Sequence, residues 1–167
     1  IAKTAKAMGI ESKLDVIPSL TLGSSDVNLL ELTNAYCTPI NDGKYNMPIM
    51  VTRIEDRHGK VIYESTLKEE QAIPYRTAYL MQQMLRAGMS GTSSRIRSYT
   101  SEVYNTTEWG GKTGTSNNHS DAWFIGVTPK LVFGSWVGGE YRSIHFRTGE
   151  LGQGNRTALP ICGEFMK

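Results

Sequence analysis

Two apolar runs near the end of the chain constrain its fold more than any other feature. Residues 122–127 and 131–138 are apolar almost throughout, and only Thr128-Pro129-Lys130 separates them. Two such runs joined by a tight turn predict an antiparallel pair of strands. Because polar residues do not alternate with the apolar ones, both faces of the pair are expected to be buried. Other elements of the chain must therefore cover the pair on each side.

A helix predicted upstream can cover one face of this pair of strands. Apolar residues between Val27 and Tyr36 recur every three or four positions, which predicts an amphipathic helix, with candidate N-cap residues at positions 24–26. Pro39 is expected to kink or end this helix, and residues 41–43 read as a turn.

Three further helices are predicted. Residues 1–8 read as a helix that ends at Gly9, and residues 158–166 form a short helix near the end of the chain. Another helix begins at Pro74 and runs to about Ala87. Its predicted core-facing side, in which the methionines fill the core, consists of Ala78, Met81, Met84 and Leu85.

The remaining segments complete an α+β pattern. Residues 49–54 and 60–64 predict a hairpin around a turn in which His58 is solvated. Residues 91–107 read as a polar loop with one short turn, and residues 141–148 as a third strand or a loop. The predicted division is a helical part with a hairpin insertion at residues 1–107, followed by strands and the last helix at residues 108–167.

Composition excludes several classes of protein. A net charge of +2 offers no basic excess for nucleic-acid binding. No apolar run approaches the roughly 18 residues of a membrane span. Cys37 and Cys162 stand apart and lack a C-x-x-C pattern, so they are interpreted as half-buried thiols, and the sequence leaves open whether they pair.

The segment from Gly110 to Ser116, with the sequence GGKTGTS, combines a lysine with hydroxyl and glycine residues. A fixed cation beside hydroxyl donors suits a carboxylate or a phosphate, and glycine lets a ligand backbone approach. A phosphate loop would need glycine where Thr106 stands, and it would open a helix rather than precede a strand. The spacing therefore argues against nucleotide binding, and taken alone the motif could still be a lysine in an ordinary glycine-rich turn.

The context of this segment resembles one family. Lys-Thr-Gly is a motif of serine acyl-transferases such as penicillin-binding proteins and class A β-lactamases. Here Thr115 follows it, and the D-x-W-F-x-G pattern begins at Asp121. Further matching segments are LGSSDV at 22–27, LELTNAY at 30–36, NDG at 41–43, SWVG at 135–138 and ALPI at 158–161. The chain resembles the C-terminal half of the transpeptidase domain of class A, bifunctional penicillin-binding proteins, which implies part of that α+β fold.

The resemblance implies roles for four residues. Lys112 and Thr113 would bind the terminal carboxylate of a peptidoglycan stem peptide or the carboxylate of a β-lactam. Gly114 would leave room for the ligand, and the backbone N–H of Thr115 would be one oxyanion-hole donor. In that family the strand that carries Lys-Thr-Gly lines one wall of the active-site cleft, and an exposed side of this strand could also pair with the extended peptide. The resemblance implies no metal or cofactor, and a place on the outer face of the bacterial cytoplasmic membrane.

The resemblance also implies a nucleophilic serine in S-x-x-K and a second motif, S-x-N, both upstream of the residues present here. Ser65-Thr66-Leu67-Lys68 matches the first in letters but follows a predicted strand in an exposed setting, and Ser116-Asn117-Asn118 comes after Lys-Thr-Gly, in the wrong order. Both matches are interpreted as coincidences. The chain, which opens on Ile1, is therefore expected to be a catalytically incomplete fragment without the nucleophile. Its uncovered sheet edge is expected to bind the missing half of the domain or another copy.

Three functions remain open from the sequence. The first is part of a D-Ala-D-Ala transpeptidase that cross-links stem peptides through an acyl-serine. The second is a non-catalytic penicillin-recognition or scaffolding module. A β-lactamase is a third, less favoured because the segments around the motif resemble the class A synthases.

Overall fold

A computed structural model describes the backbone of residues 1–167 and every side chain except that of Ser101. Its α-helices are α1 (Ala2–Ala7), α2 (Leu29–Ile40), α3 (Tyr75–Ala87), α4 (Ser101–Thr106), α5 (Gly149–Gly152) and α6 (Ala158–Phe165). Its strands are β1 (Lys44–Asn46), β2 (Arg53–Glu55), β3 (Val61–Glu64), β4 (Glu69–Gln71), β5 (Gly110–Thr115), β6 (Asp121–Val127) and β7 (Val132–Gly138). Short 3-10 helices span Pro18–Leu22, Gly88–Ser90 and Thr92–Ser98.

The central element is a three-stranded antiparallel sheet in the order β5-β6-β7. Lys112 pairs with Ile125, and Phe124 pairs with Ser135. Helices α2 and α3 pack on one face, whereas α6 packs on the other. The predicted β6–β7 hairpin and the α+β class are therefore confirmed, with helices on both sides of the sheet.

Burial of the hairpin differs between its two strands. In β6 the side chains of Phe124 and Ile125, which point to opposite faces, are 0% and 2% exposed. In β7, Phe133 is buried but Trp136 is 39% exposed. The prediction of burial on both faces is thus right for β6 and wrong for the end of β7, because one face of β7 borders an open cavity there.

Helix α2 begins later than predicted. Its N-cap is Asn28, whose side-chain oxygen accepts a hydrogen bond from Leu30 N at 2.8 Å, so the candidates at positions 24–26 were wrong. Pro39 lies in the last turn, and the helix ends one residue later. Positive φ angles at Asp42 and Gly43 then turn the chain into β1.

Helix α3 has a narrower buried side than predicted. Ala78 and Leu85 are buried, whereas Met81 and Met84 are 37% and 68% exposed. Residues seven apart lie on one line along a helix, so α3 contacts α2 and β5 through a thin stripe. The two methionines flank that stripe and do not fill the core, which corrects the prediction.

The polar segment at residues 91–107 contains more helix than predicted. A 3-10 helix places Ser93, Ile96 and Tyr99 on its inner side, because side chains three apart align in that geometry. Helix α4 follows. The three-residue repeat differs from the α-helical period, and the polar composition concealed both elements.

Between α2 and α3 the chain makes an excursion, defined here as residues 44–71. It contains the predicted hairpin, with shorter strands β2 and β3, and a pair of strands that the sequence did not reveal, β1 and β4. His58 is exposed in the hairpin turn. No helix described by the structure is long and apolar enough to span a membrane.

Both cysteines are free thiols. Cys162 is buried and Cys37 partly buried, and burial raises the pKa of each thiol. Residues 141–148, left open as a strand or a loop, form a loop. The predicted division between residues 107 and 108 stays a prediction.

Candidate functional site

The Lys-Thr-Gly segment forms one wall of a cavity of about 1180 Å³. Strand β5 and the following turn, residues 116–121, line one side. The other side is the segment before α2, including Leu14, Leu20 and Val27. An exposed ion pair between Arg142 and Asp26, which also line the cavity, joins the two walls. The cavity therefore has polar groups along β5 and a mixture of apolar and polar side chains opposite.

Lys112 supplies a cation to this cavity. Its side chain is exposed, and its Nζ donates a hydrogen bond to the carbonyl oxygen of its neighbour Thr113. Among the ion pairs of the described residues, none involves Lys112. An ammonium group without a carboxylate partner attracts an anion that enters the cavity.

Thr113 leaves the strand on the opposite face from Lys112, as alternation along a strand requires. It is only 9% exposed, and its Oγ1 lies 2.7 Å from Oγ1 of Thr92. One of these two hydroxyl groups donates its proton to the other. The proton of the accepting hydroxyl then remains free to donate to a ligand. Thr92 was missed because it lies in the segment that was read as a loop.

The edge of β5 that faces away from β6 presents the backbone of alternate residues. Ser116 N donates to Asp121 O at 3.0 Å, so the N–H groups of even-numbered residues point toward β6. The N–H groups of Thr113 and Thr115 therefore point to the outer edge. The Gly111 carbonyl on the same edge is in close contact with Gly88, which covers that end of the strand.

The end of β5 is held from the side by a second segment. The hydroxyl oxygen of Thr115 accepts a hydrogen bond from Gly154 N at 3.0 Å. At the preceding position, a β-carbon added to Gly114 would lie 3.1 Å from the β-carbon of Trp123. Gly114 thus lets β5 and β6 approach closely, next to the residue whose N–H points outward.

Hydrogen bonds within the turn between β5 and β6 occupy its polar side chains. Ser116 Oγ accepts from Asp121 N at 2.8 Å. The Asp121 carboxylate accepts from the Trp136 indole at 3.1 Å and from Ser120 Oγ at 2.7 Å. Asn118 Nδ2 donates to the Arg142 carbonyl. Ser116 and Asn118, the S-x-N match, therefore act within the turn, and Asp121 fixes the hairpin.

The S-x-x-K match lies elsewhere. Ser65 borders a smaller cavity of about 350 Å³ formed by the excursion, together with Met50 and Tyr63, and its backbone N–H bonds to the Thr52 carbonyl. It does not line the cavity that contains Lys112. The structure thus separates Ser65 from the Lys-Thr-Gly strand.

Comparison with protein families gives one match across most of the chain. The model described as "Penicillin binding protein transpeptidase domain" matches residues 7–142. Penicillin-binding protein 2D of Bacillus subtilis is 35% identical over 143 residues, which cover 83% of this chain and 20% of that protein. Penicillin-binding protein 1A of Aquifex aeolicus is 32% identical over 167 residues, covering 100% of this chain and 22% of that protein. The chain thus spans about a fifth of the length of these relatives.

Solved structures share the fold. Penicillin-Binding Protein 1A from Haemophilus influenzae has a TM-score of 0.84 at 23% identity, covering 96% of this chain and 29% of the other. PonA1 from Mycobacterium tuberculosis, solved in complex with penicillin V, has a TM-score of 0.77 at 23% identity, covering 99% of this chain and 48% of the other. The matching family model and the shared fold lead to one conclusion: this chain belongs to the penicillin-binding protein transpeptidase domain family.

Proposed function

We propose that this chain forms one wall of the active site of a serine-type D-Ala-D-Ala transpeptidase that cross-links peptidoglycan stem peptides. One observation carries the proposal. The outward N–H of Thr115 and the ammonium of Lys112, which forms no ion pair among the described residues, lie on one strand beside one cavity. Acyl transfer from a peptide that ends in a carboxylate needs both groups, one for the developing oxyanion and one for the terminal charge.

Lys112 and Thr113 bind the carboxylate in this proposal. The ammonium supplies the charge, and the Thr92–Thr113 hydroxyl pair supplies one free proton for a hydrogen bond. The bound peptide lies along the outer edge of β5, where the backbone groups of Thr113 are unpaired with β6. Gly88 covers the Gly111 end of this edge, so the peptide enters at the Thr115 end.

Thr115 acts through its backbone. Its N–H donates to the carbonyl oxygen that becomes negative when the serine attacks, and one such donor lowers the barrier by about 3–4 kcal/mol. Attack expels the terminal D-alanine and leaves an acyl-serine, which the amine of a second stem peptide then resolves. Gly114 keeps side-chain atoms away from this position.

The nucleophilic serine and its base come, in this proposal, from residues outside the present chain. Ser65 lies in a different cavity, and Ser116 is bonded within its turn. β-Lactams acylate the same serine. In support, penicillin-binding protein A from M. tuberculosis was solved as an imipenem acyl-enzyme complex. In this proposal the whole protein works at the outer face of the cytoplasmic membrane, where peptidoglycan is built.

A non-catalytic penicillin-recognition or scaffolding module is the second candidate. Ser65 does not line the cavity that contains Lys112, and the Ser116 hydroxyl is hydrogen-bonded within its turn. Both observations favour this candidate, since a binding wall without a nucleophile binds but does not turn over. In that case the missing half of the domain, or a second copy at the open end of β5, completes the surface. Light scattering separates the two arrangements.

Fluorescent penicillin tests the proposed function in the full-length protein. A covalent, detergent-resistant label is expected on the wild-type protein and on the Ser65→Ala variant. The chain of 167 residues alone is expected to remain unlabelled. A label that disappears with Ser65→Ala would assign the nucleophile to the excursion, and an unlabelled full-length protein would favour the recognition module.

A further inference from the structure

The peptide group that joins Gly114 to Thr115 carries the proposed oxyanion donor, and Gly154 lies directly against it. A β-carbon added at Gly154 would lie less than 3.0 Å from the carbonyl oxygens of both Gly114 and Trp123. Real β-carbons do not approach so closely, so only glycine fits. The Gly114 carbonyl points toward β6, and in the same trans peptide the Thr115 N–H points to the cavity.

Gly154 also links the core to Thr115 through two hydrogen bonds. Its N–H donates to Thr115 Oγ1 at 3.0 Å, and its carbonyl accepts from Leu159 N at 2.8 Å. Leu159 is 0% exposed, in the first turn of α6, and belongs to the main core cluster. The position of Gly154 is thus set by the most buried part of the molecule.

In the part of the chain that the structure describes, β5 is an edge strand, paired with β6 alone. The β6 ladder on one side and the lateral contacts with Gly154 restrain rotation of the Gly114–Thr115 peptide. An oxyanion donor acts by being oriented before charge develops, and a displacement of about 1 Å can cost roughly 100-fold in rate. The orientation of the Gly114–Thr115 peptide is therefore expected to affect the rate of acylation more than the affinity for the ligand.

We propose that Gly154 is a positioning residue, which orients the Thr115 N–H through its hydrogen bond to the Thr115 hydroxyl and its close contact with the Gly114 carbonyl. This inference rests on the proposed function, because it assigns a support to the oxyanion donor named there. It gives the Thr115 side chain a role as an acceptor of a structural hydrogen bond, distinct from the role of its backbone.

The test measures acylation of the full-length protein by fluorescent penicillin at several concentrations, which separates the non-covalent Kd from the acylation rate constant. Gly154→Ala and Thr115→Val are expected to lower the rate constant about 10- to 100-fold, with Kd nearly unchanged and labelling still complete at long times. Thr115→Ser restores the acceptor and is expected to recover most of the loss. Thr157→Val, which removes a 3.1 Å hydroxyl bond to Gln153 O on the same loop, is the control with an unchanged rate constant.

Infrared spectroscopy gives a second readout that a general loss of packing would not move. The ester carbonyl of the acyl-enzyme, labelled with ¹³C, is expected at higher frequency in Thr115→Val than in the wild type, because a misplaced donor polarises it less. Wild-type rate constants in both Gly154→Ala and Thr115→Val would overturn the inference. The inference would also be overturned if these variants had a lowered Tm and incomplete labelling while the acylation rate constant stayed unchanged, because the residues would then affect only folding. Failure of the wild type to form any adduct would overturn the proposed function as well.

Discussion

The end of the central sheet and the excursion at residues 44–71 are built in opposite ways. At the sheet end, the turn at residues 116–121 and Gly154 hold β5 through hydrogen bonds to backbone and side chains, next to the buried Phe124. In the excursion, every residue of β2 and β3 is exposed, including Ile62 at 67%. Two-stranded ladders of this kind have little apolar contact to hold them.

The end of the central sheet is held more firmly than the excursion. Residues that orient the outward N–H groups of β5 are tied to the core, whereas the excursion contributes exposed surface and a separate small cavity. We therefore expect substitutions at the sheet to change stability or acylation. Equivalent substitutions in the excursion should change neither by much.

The largest difference is expected in stability. Phe124→Ala removes a fully buried aromatic side chain and is expected to lower the free energy of unfolding by about 3–5 kcal/mol. Ile62→Ala in the excursion should stay within about 0.5 kcal/mol. Urea denaturation of both variants checks this, and equal losses would contradict the proposed contrast.

The next effect concerns the cation. Lys112→Ala is expected to slow acylation by carboxylate-bearing β-lactams about 10- to 100-fold, since a charge-assisted hydrogen bond to the carboxylate is lost. The Tm should hardly change, because an exposed lysine contributes little to folding. Lys60→Ala, an exposed lysine of the excursion, is the matched control. A sharp fall in the Tm of Lys112→Ala would make the residue structural.

A smaller effect is expected from the hydroxyl pair. Thr92→Ala removes the partner of Thr113 and should weaken β-lactam binding about fivefold, the value of a single neutral hydrogen bond. Asp56→Ala, whose carboxylate caps the excursion turn by accepting from His58 N and Lys60 N, should leave binding unchanged. Titration with a non-acylating ligand measures both, and equal affinities would remove Thr92 from the site.

The smallest effect depends on pH and concerns the wall opposite β5. The Ser12 hydroxyl and N–H, at 2.7 and 3.1 Å, hold the pKa of Glu31 below its ordinary value of 4.5. Because the folded pKa is the lower one, this contact stabilises the fold above about pH 4.5, and the contribution is lost as pH falls through the folded pKa. Glu31→Gln should remove that part of the pH dependence of Tm. Parallel curves for variant and wild type would contradict it.

The sequence predicted secondary structure best where apolar residues follow one regular pattern. The apolar runs around Pro129 predicted β6 and β7 within one residue, and the regular pattern from Val27 predicted most of α2. The motif at Lys112 located the strand of the candidate site, since Thr106 stands where a phosphate loop needs glycine and a strand, not a helix, follows. Such patterns predict secondary structure correctly because each depends only on residues that are close together in the sequence.

Other parts depend on contacts between distant residues. The partner of Thr113 is Thr92, in a 3-10 helix with a three-residue repeat, and the support of Thr115 is Gly154, 39 positions along the chain. Pairing of β1 with β4 also joins segments separated by more than 20 residues. No periodicity marks such pairs. A glycine whose β-carbon would meet two carbonyl oxygens is visible only once the strands are in place.

A crystal structure of the full-length protein acylated by a penicillin tests whether β5 forms the binding wall proposed here. The acyl carbonyl oxygen is expected about 2.7–3.1 Å from Thr115 N, and the β-lactam carboxylate is expected to contact Lys112. An acyl-serine whose carbonyl oxygen points away from β5, with the carboxylate bound by other residues, would show that β5 has neither role.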